Sequence, residues 1–303
     1  RNHKVRILER TLKVRILLAY TLIRVGEMLL VKGSAYRLSS RIDAILEVRR
    51  HQISNDLTQR LNRTVKYGNF KGMKFANESI WGASDSANML LGLYEREISD
   101  LLMLLAMTEN RRQLIDCGAA DGFFAIGALV SGEFNFVWAF EQSEQQRVNL
   151  KQNAKANSLD MQIEILGTAE EDFLKKLEMD DKFQFESSTF LIDIEGGEYK
   201  ILNDSNLLRL KNSVLIIELH DFSKDQKLDR TALLERARDT HCGYLFSTGA
   251  RDLSAFHELD YLSDSNRWLI CSEGRPRVMD WLVLFPRTMR NRLLDIGINH
   301  HAI

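Results

Sequence analysis

The sequence predicts an α/β domain: a mostly parallel sheet with helices on both faces, preceded by an N-terminal helical extension. From residue 113 onwards, short apolar segments alternate with amphipathic ones, as in parallel sheets that are covered by helices. The apolar segments are nearly continuous in Val, Ile, Leu and Phe, which is typical of strands buried on both faces.

We divide the chain into a basic helical arm (residues 1–66), a lead-in segment that caps the domain (residues 67–109) and the α/β domain itself (residues 110–303). In the arm, apolar residues recur at steps of three and four from Val5 to Ile23, which predicts an amphipathic helix that continues to about Arg63. The arm has 15 Lys/Arg against 5 Asp/Glu, whereas the rest of the chain is acidic. We expect the arm to pack on the main domain or on a second copy of the chain in a homo-oligomer. Peripheral contact with an anionic membrane is the alternative, and the scarcity of aromatic residues argues against nucleic acid.

The composition is that of a globular protein, with 45% hydrophobic and 27% charged residues and only two prolines. Three cysteines without metal-ligand spacing argue against a disulfide framework and indicate a reducing, cytoplasmic location. The longest apolar stretch, from Leu12 to Val31, contains four charged residues, which argues against a membrane span.

Within the lead-in segment, the glycine- and aromatic-rich stretch Tyr67–Phe75 predicts a short hairpin or loop, and Asp85–Glu109 predicts a helix. The strands predicted after it are Gln113–Cys117, Phe134–Phe140, Met161–Leu166, Thr189–Ile194, Val214–Leu219, Tyr244–Ser247, Trp268–Cys271 and Trp281–Phe285. The helices predicted between them are Phe123–Val130, Glu144–Asn157, Glu170–Glu178, Glu198–Leu210 and Arg230–Thr240.

The ends of the first two predicted strands carry the features of a nucleoside site. The first strand ends in Asp116-Cys-Gly118-Ala-Ala-Asp-Gly122, where Gly118 allows a tight turn and Gly122 opens the next helix. A second phosphate-contacting glycine is missing, so the turn suits a smaller ligand than a dinucleotide. Glu141 follows the second strand, about twenty positions beyond the turn, where an acid can accept hydrogen bonds from ribose hydroxyls. The third strand is followed by Gly167-Thr168-Ala169-Glu170, where an adenine edge could be read, although Glu170 could simply favour a helix start.

The fourth and fifth strands end in acidic and histidine residues. Asp193, Glu195 and Glu198 lie within six residues, and we expect Asp193 and Glu195 to share one face of an extended strand. These carboxylates could bind an ammonium group, act as a general base or hold a divalent cation. By the same argument Glu218 and His220 share a face of the fifth strand, and His220 could remove a proton from an acceptor hydroxyl.

Together these segments resemble the FkbM family of class I methyltransferases over residues 67–219. The similar segments are Asp116–Phe124, Ala139–Gln142, Leu150–Asn157, Ile192–Glu198 and Ile217–His220, with Tyr67–Gly72, Trp81-Gly82 and Leu91–Glu95 upstream. The segment Asp193-x-Glu195-Gly-x-Glu198 is the most specific of them. Two departures affect the subtype: Ala120-Asp121 stands where an Asn is frequent in the family, and Gln142 where a proline often follows the ribose acid.

The resemblance implies a Rossmann-like, seven-stranded sheet whose last strand is antiparallel, with S-adenosylmethionine at the ends of the first two strands. It implies O-methylation of a small molecule or carbohydrate acceptor. The implied cofactor-binding residues are Asp116, Gly118 and Ala119 for the methionine part, Glu141 and Gln142 for the ribose, Glu170 for the adenine side, and Asp193 near the sulfonium. The implied catalytic residues are His220, Asp193 and Glu195, with His220 or Asp193 as base and without a metal.

Two other functions stay open at this point. Asp193 and Glu195 could hold the metal of a nucleotide-sugar transferase, although a phosphate-cradling loop is missing. A non-catalytic scaffold of methyltransferase-like fold could instead act through the basic arm.

Overall fold

The computed structural model describes residues 35–76, 84–220, 224–249, 251–253, 256–273, 275 and 279–289. The chain forms two compact units, residues 1–49 and 50–303. The divisions predicted after residues 66 and 109 both fall within the second unit and stay predictions. The first half of the predicted arm, with the apolar stretch Leu12–Val31, lies outside the described residues, as does Trp81-Gly82. In the part of the chain that is described, no helix is long and apolar enough to cross a membrane.

The described residues contain ten α-helices and seven β-strands. The helices are α1 (Ala35–Arg60), α2 (Ser86–Leu90), α3 (Arg96–Glu109), α4 (Phe123–Val130), α5 (Glu144–Ala156), α6 (Phe173–Glu178), α7 (Glu198–Ile201), α8 (Asp204–Arg209), α9 (Lys224–Ala237) and α10 (Asp264–Cys271). The strands are β1 (Gln113–Cys117), β2 (Phe136–Phe140), β3 (Ile163–Leu166), β4 (Ser188–Ile192), β5 (Val214–Glu218), β6 (His241–Ser247) and β7 (Asp280–Pro286). Short 3₁₀ turns occupy Phe185–Ser187, His257–Leu259 and Arg287–Met289.

The seven strands form one sheet in the order β3-β2-β1-β4-β5-β7-β6. Strands β1 to β5 are parallel, and β7 is antiparallel to both β5 and β6. The chain leaves β1 in one direction to build β2 and β3 and returns to the other side of β1 to build β4. Such a reversal opens a crevice beyond the carboxyl ends of the central strands, where open sheets bind their ligands.

Successive residues of each strand enter different cores, one on either face of the sheet. Leu114 and Val137 pack with α3 and α4 in one core, whereas Ile115 and Trp138 pack with α6 to α9 in the other. This period-two alternation explains why the strands read as continuous apolar runs. The predicted Rossmann-like, mostly parallel seven-stranded sheet with helices on both faces is therefore confirmed.

One predicted strand is wrong and two predicted helices are broken. Trp268–Cys271 belongs to helix α10, in which Trp268 is exposed while Ile270 and Cys271 are buried. The predicted helix Glu198–Leu210 divides after Ile201, because the Asn203 side chain accepts a hydrogen bond from the Asn206 amide and starts a new helix. The predicted helix Asp85–Glu109 divides at Gly92, whose φ is +66° and whose backbone lies against Tyr67.

Candidate functional site

The glycine turn after β1 is held against the end of β2. The amides of Gly118 and Ala119 donate to the Phe140 carbonyl at 2.9 and 3.0 Å. Gly118 has a φ of +95°, and a Cβ at this position would lie 1.8 Å from the Asp193 carbonyl oxygen. Only glycine fits here, because the backbone is left-handed and the loop after β4 passes directly over it.

Glu141 is buried at the end of β2, and the protein holds its carboxylate in place. Its Oε2 accepts from the Ala120 amide at 2.9 Å and its Oε1 from the Ser143 amide at 2.6 Å. With its amide nitrogen turned inward, Gln146 donates to the same two oxygens at 2.9 and 3.2 Å. Each carboxylate oxygen can accept more than one hydrogen bond, so Glu141 keeps capacity for ligand hydroxyls.

Asp116, the fourth residue of β1, is a buried acid with an unmatched oxygen. Burial raises the pKa of Asp116 to about 7, against a lowering by the Ala125 amide, and the charge of Glu141 raises it further. Its Oδ2 has no hydrogen-bond partner within the described part of the chain. A buried carboxylate oxygen beside a ligand cleft is suited to an ammonium group, which would supply the missing partner.

A cleft of about 270 Å³ opens at the point where the strand order reverses. Its lining residues are Gly118, Ala120, Phe140, Glu141, Gln142, Gln146, Thr168, Ala169, Asp193, Ile194, Glu195 and Gly197. The structure thus brings together Gly118, Glu141, Gln142, Asp193 and Glu195, which the sequence indicated separately. Asp116 and Ala119 are buried next to this lining rather than part of it.

Glu170 is exposed and is not among the cleft residues, whereas its neighbours Thr168 and Ala169 are. Sequence reasoning assigned the adenine edge to the segment Gly167–Glu170 but singled out only its acid, because nothing in the type of Thr168 or Ala169 marks them as ligand groups. It also passed over Gln146, although Gln146 lies near Ser143, the residue that caps α5, and so at the same end of the sheet.

Behind Asp193 and Glu195 of the cleft lining lies His220, and three carboxylates surround one of its imidazole nitrogens. His220 Nε2 lies 3.7 Å from Asp193 Oδ1, 3.4 Å from Glu195 Oε2 and 3.5 Å from Glu218 Oε2. Its Nδ1 lies 3.0 Å from Glu198 Oε1. The predicted cluster of acids around His220 is therefore present in the structure.

The prediction that Asp193 and Glu195 share one face of an extended strand is wrong. Strand β4 ends at Ile192, so the two residues lie in a loop instead of on one face of a strand. Glu195 has a φ of +55°, and Gly196 follows with +100°. This left-handed turn, which is unfavourable for a residue other than glycine, points both carboxylates toward His220. Similarly, β5 ends at Glu218, and His220 lies beyond the strand.

The charges of the cluster alter the pKa of its members. Burial lowers the pKa of His220, but the Glu198 hydrogen bond and the charges of Glu198, Glu218 and Glu195 raise it, and the net result is a rise above the usual 6.5. Burial and the nearby carboxylates of Glu218 and Glu95 raise the pKa of Asp193 well above its ordinary value. Both shifts favour the protonated form, of the His220 imidazole and of the Asp193 carboxyl.

A divalent cation is a further group that this geometry could hold. Asp193, Glu195 and His220 each offer one ligand atom, and these three atoms lie within 4.8 Å of one another. Two oxygens and one imidazole nitrogen suit several divalent ions. The sequence prediction of a site without metal stays a prediction.

No family model matches the chain, and neither does any curated protein. Solved structures do resemble it. A putative O-methyltransferase from Klebsiella pneumoniae is 12% identical, with a TM-score of 0.39, and the match covers 61% of this chain and 78% of that one. The O-methyltransferase from Bacillus cereus in complex with SAH is 14% identical, with a TM-score of 0.40, and the match covers 61% of this chain and 79% of that one. The O-methyltransferase TomG from Streptomyces achromogenes, in complex with SAM, is 11% identical, with a TM-score of 0.42, and the match covers 69% of this chain and 91% of that one.

Proposed function

We propose that the protein is an S-adenosylmethionine-dependent methyltransferase of FkbM type that methylates a hydroxyl group of a small molecule or sugar. The observation that carries the proposal is that the Gly118 turn after β1 lies between Glu141, at the end of β2, and Asp193, after β4, with both acids lining one cleft. Methyl transfer to oxygen requires that donor and acceptor be held in line and that the acceptor hydroxyl lose its proton, and Glu141 and Asp193 could serve these two needs.

The residues around the cleft fit the parts of this cofactor. Glu141 would accept hydrogen bonds from the ribose hydroxyls, with Gln142 beside it. Gly118 and Ala120 of the glycine turn line the part of the cleft where the methionine part would lie, and the unmatched Asp116 Oδ2 suits its ammonium group. For the adenine side we propose Thr168 and Ala169 in place of Glu170, whose side chain is exposed.

When bound, S-adenosylmethionine supplies a methyl group on a sulfonium, which is already an activated electrophile. The protein then has to orient the acceptor hydroxyl and take its proton. Asp193 and Glu195 line the cleft, whereas His220 is buried behind them, 3.7 Å from Asp193. We therefore assign Asp193 as the group that takes the proton, His220 as the partner that shares it, and Glu195 as the residue that orients the acceptor.

Calorimetry with S-adenosylmethionine tests the cofactor assignment. The intact protein should bind it, and Glu141→Ala should weaken binding roughly 10- to 100-fold through the loss of two charge-assisted hydrogen bonds. Glu144→Ala is the matched control, because Glu144 lies exposed on α5 only three residues away. No binding by the intact protein, or equal binding by Glu141→Ala, contradicts the proposal. Transfer of a labelled methyl group to hydroxylated small molecules and sugars then tests the reaction.

One observation favours a second function. The spacing of Asp193, Glu195 and His220 is compatible with a cation, as a metal-dependent nucleotide-sugar transferase would need. That function predicts that a nucleoside diphosphate sugar binds only with manganese present and that S-adenosylmethionine does not bind. The same calorimetry therefore separates the two.

A further inference from the structure

A largely buried arginine, Arg275, with 18% of its side chain exposed, joins three carboxylates from distant parts of the chain. Its guanidinium contacts Glu95, Glu218 and Glu273, the last at 2.9 Å. The three acids are almost completely buried, with 1%, 6% and 8% of their side chains exposed. A planar guanidinium can serve several carboxylates at once, which the point charge of a lysine ammonium does less well.

Glu218 connects this arginine to the candidate site. Its Oε1 contacts Arg275, and its Oε2 lies 3.5 Å from His220 Nε2. A carboxylate that is held at one oxygen has its other oxygen fixed in direction as well. The position of Glu218 beside the imidazole therefore depends on Arg275.

Glu95 connects the same arginine to the lead-in segment. It immediately precedes helix α3, with a φ of +42°, and it follows Tyr94, whose ring packs edge-on against Phe123. Burial raises the pKa of Glu95 well above its ordinary value, the Arg275 charge lowers it, and the Glu218 and Glu273 carboxylates raise it again. Without the guanidinium, Glu95 and Glu218 would be buried acids without a counter-charge between them, an arrangement that proteins avoid.

We infer that Arg275 is a positioning residue for the proposed methyl transfer. It fixes Glu218 against the His220 imidazole, and it connects the lead-in segment to the carboxyl end of β5, beside the site. The inference rests on the proposed function. Arg275 is not among the described residues that line the cleft, so it acts through Glu218 and not on the ligand.

Arg251 provides a matched control. It is also buried, with 6% of its side chain exposed, and it also pairs with Glu273. Its other acid is Glu97 rather than Glu218. Replacing Arg251 therefore disturbs a buried arginine of the same network without removing the contact to Glu218.

The His220 ring itself reports the effect. In protein labelled with ¹⁵N-histidine, the two ring nitrogen signals of His220 are assigned by their loss in His220→Gln. Arg275→Met should shift both signals, Arg275→Lys should shift them less, and Arg251→Met should leave them in place. In a Glu218→Gln background, Arg275→Met should produce no further shift. Equal shifts from Arg275→Met and Arg251→Met, or none from Arg275→Met, overturn the inference.

Two further measurements distinguish a failure of the Arg275 role from a folding defect and from a failure of the proposed function. If Arg275→Met does not fold, Arg275→Lys decides: it must shift the His220 signals in the wild-type background and leave them in Glu218→Gln, and any other pattern overturns the inference. The affinity for S-adenosylmethionine should stay within about twofold, while the rate of methyl transfer falls roughly 10- to 100-fold, as for a misplaced catalytic group. Absence of cofactor binding by the wild-type protein contradicts the function, whereas unmoved His220 signals contradict the role of Arg275.

Discussion

His220 Nδ1 lies 3.0 Å from Oε1 of Glu198, a carboxylate at the start of α7 that is completely buried. The same oxygen accepts the Ile194 amide at 2.9 Å. Glu198 thus fixes both the imidazole and the loop that carries Asp193 and Glu195. It is not one of the described residues that line the cleft, so Glu198 supports the site from behind. A carboxylate behind a functional histidine orients the ring and makes it more basic.

Glu198→Gln should lower the pKa of His220. The amide keeps an oxygen that can accept from Ile194, but it removes the negative charge that raises the pKa of the imidazole. NMR titration of His220 in buffer free of divalent cations measures this directly. Methyl transfer should likewise persist to lower pH, because the proton-sharing pair is then deprotonated at lower pH. A His220 pKa that stays unchanged or rises in Glu198→Gln would contradict this role.

Asn153 should prove more important for the site than its polar surface neighbours. From α5, its Nδ2 donates to the Asp121 carbonyl in the glycine turn, and its Oδ1 accepts from the Ala76 amide in the lead-in segment, both at 2.8 Å. Asn153→Ala removes both hydrogen bonds and should lower the free energy of unfolding by about 2–4 kcal/mol. It should also weaken S-adenosylmethionine binding, because the turn loses a support.

Asn157→Ala is the control for this prediction. Asn157 directly follows the last residue of α5, and it exchanges hydrogen bonds with the Lys74 backbone, away from the turn. Asn157→Ala should lower the free energy of unfolding by about 1 kcal/mol and leave cofactor affinity unchanged. Denaturant unfolding and calorimetry measure the two effects, and equal losses of affinity in both variants would disprove a specific role of Asn153.

The parts of the site that the sequence predicts are the ones defined over short distances along the chain. Gly118 and Glu141 follow the first two strands of a recognisable alternating pattern, so the rule for ligands at carboxyl ends of strands locates both. The grouping of Asp193, Glu195 and His220 follows from the same rule, since β4 and β5 are neighbours.

Features that depend on contacts between distant residues were not predictable in this way. The sequence separation between Glu95 and Arg275 is 180 residues, and nothing in the segment around either one indicates the other. The run Trp268–Cys271 resembles a strand in composition, but only tertiary packing shows that Ile270 and Cys271 are buried while Trp268 is not. The left-handed turn at Glu195 is also invisible, because Glu rarely adopts it.

Gly118→Ala should destabilise the protein severely. The new methyl group would lie 1.8 Å from the Asp193 carbonyl oxygen, and the backbone φ of +95° is unfavourable for alanine as well. We expect a loss of about 3 kcal/mol or more from overpacking and strain together. Gly132→Ala is the control, since Gly132 has a φ of +79° but no atom within 4 Å of the added group, and strain alone costs about 1–2 kcal/mol. Urea unfolding compares them, and equal costs would show that the approach of Asp193 is unimportant.

His241 should make the protein less stable in mild acid. It is buried in β6, with Nδ1 2.8 Å from Thr240 Oγ1 and Nε2 3.3 Å from the Ser213 carbonyl. Burial lowers the pKa of His241 to about 4, against a raising by the backbone of Ser213, and the charge of Arg111 lowers it further. Between pH 6.5 and 4 the unfolded chain therefore binds a proton that the folded protein does not, so the free energy of unfolding falls as the pH falls through this window. The full difference is about 3 kcal/mol.

His241→Gln removes this titrating group, so the difference in unfolding free energy between wild type and variant should change with pH below 6.5 and be constant above it. As the pH falls to 4, the free energy of unfolding of the wild type should decrease relative to that of the variant. Chemical denaturation at half-unit steps of pH measures both curves. A pH-independent difference for His241→Gln would mean that the native protein accommodates the imidazolium in β6.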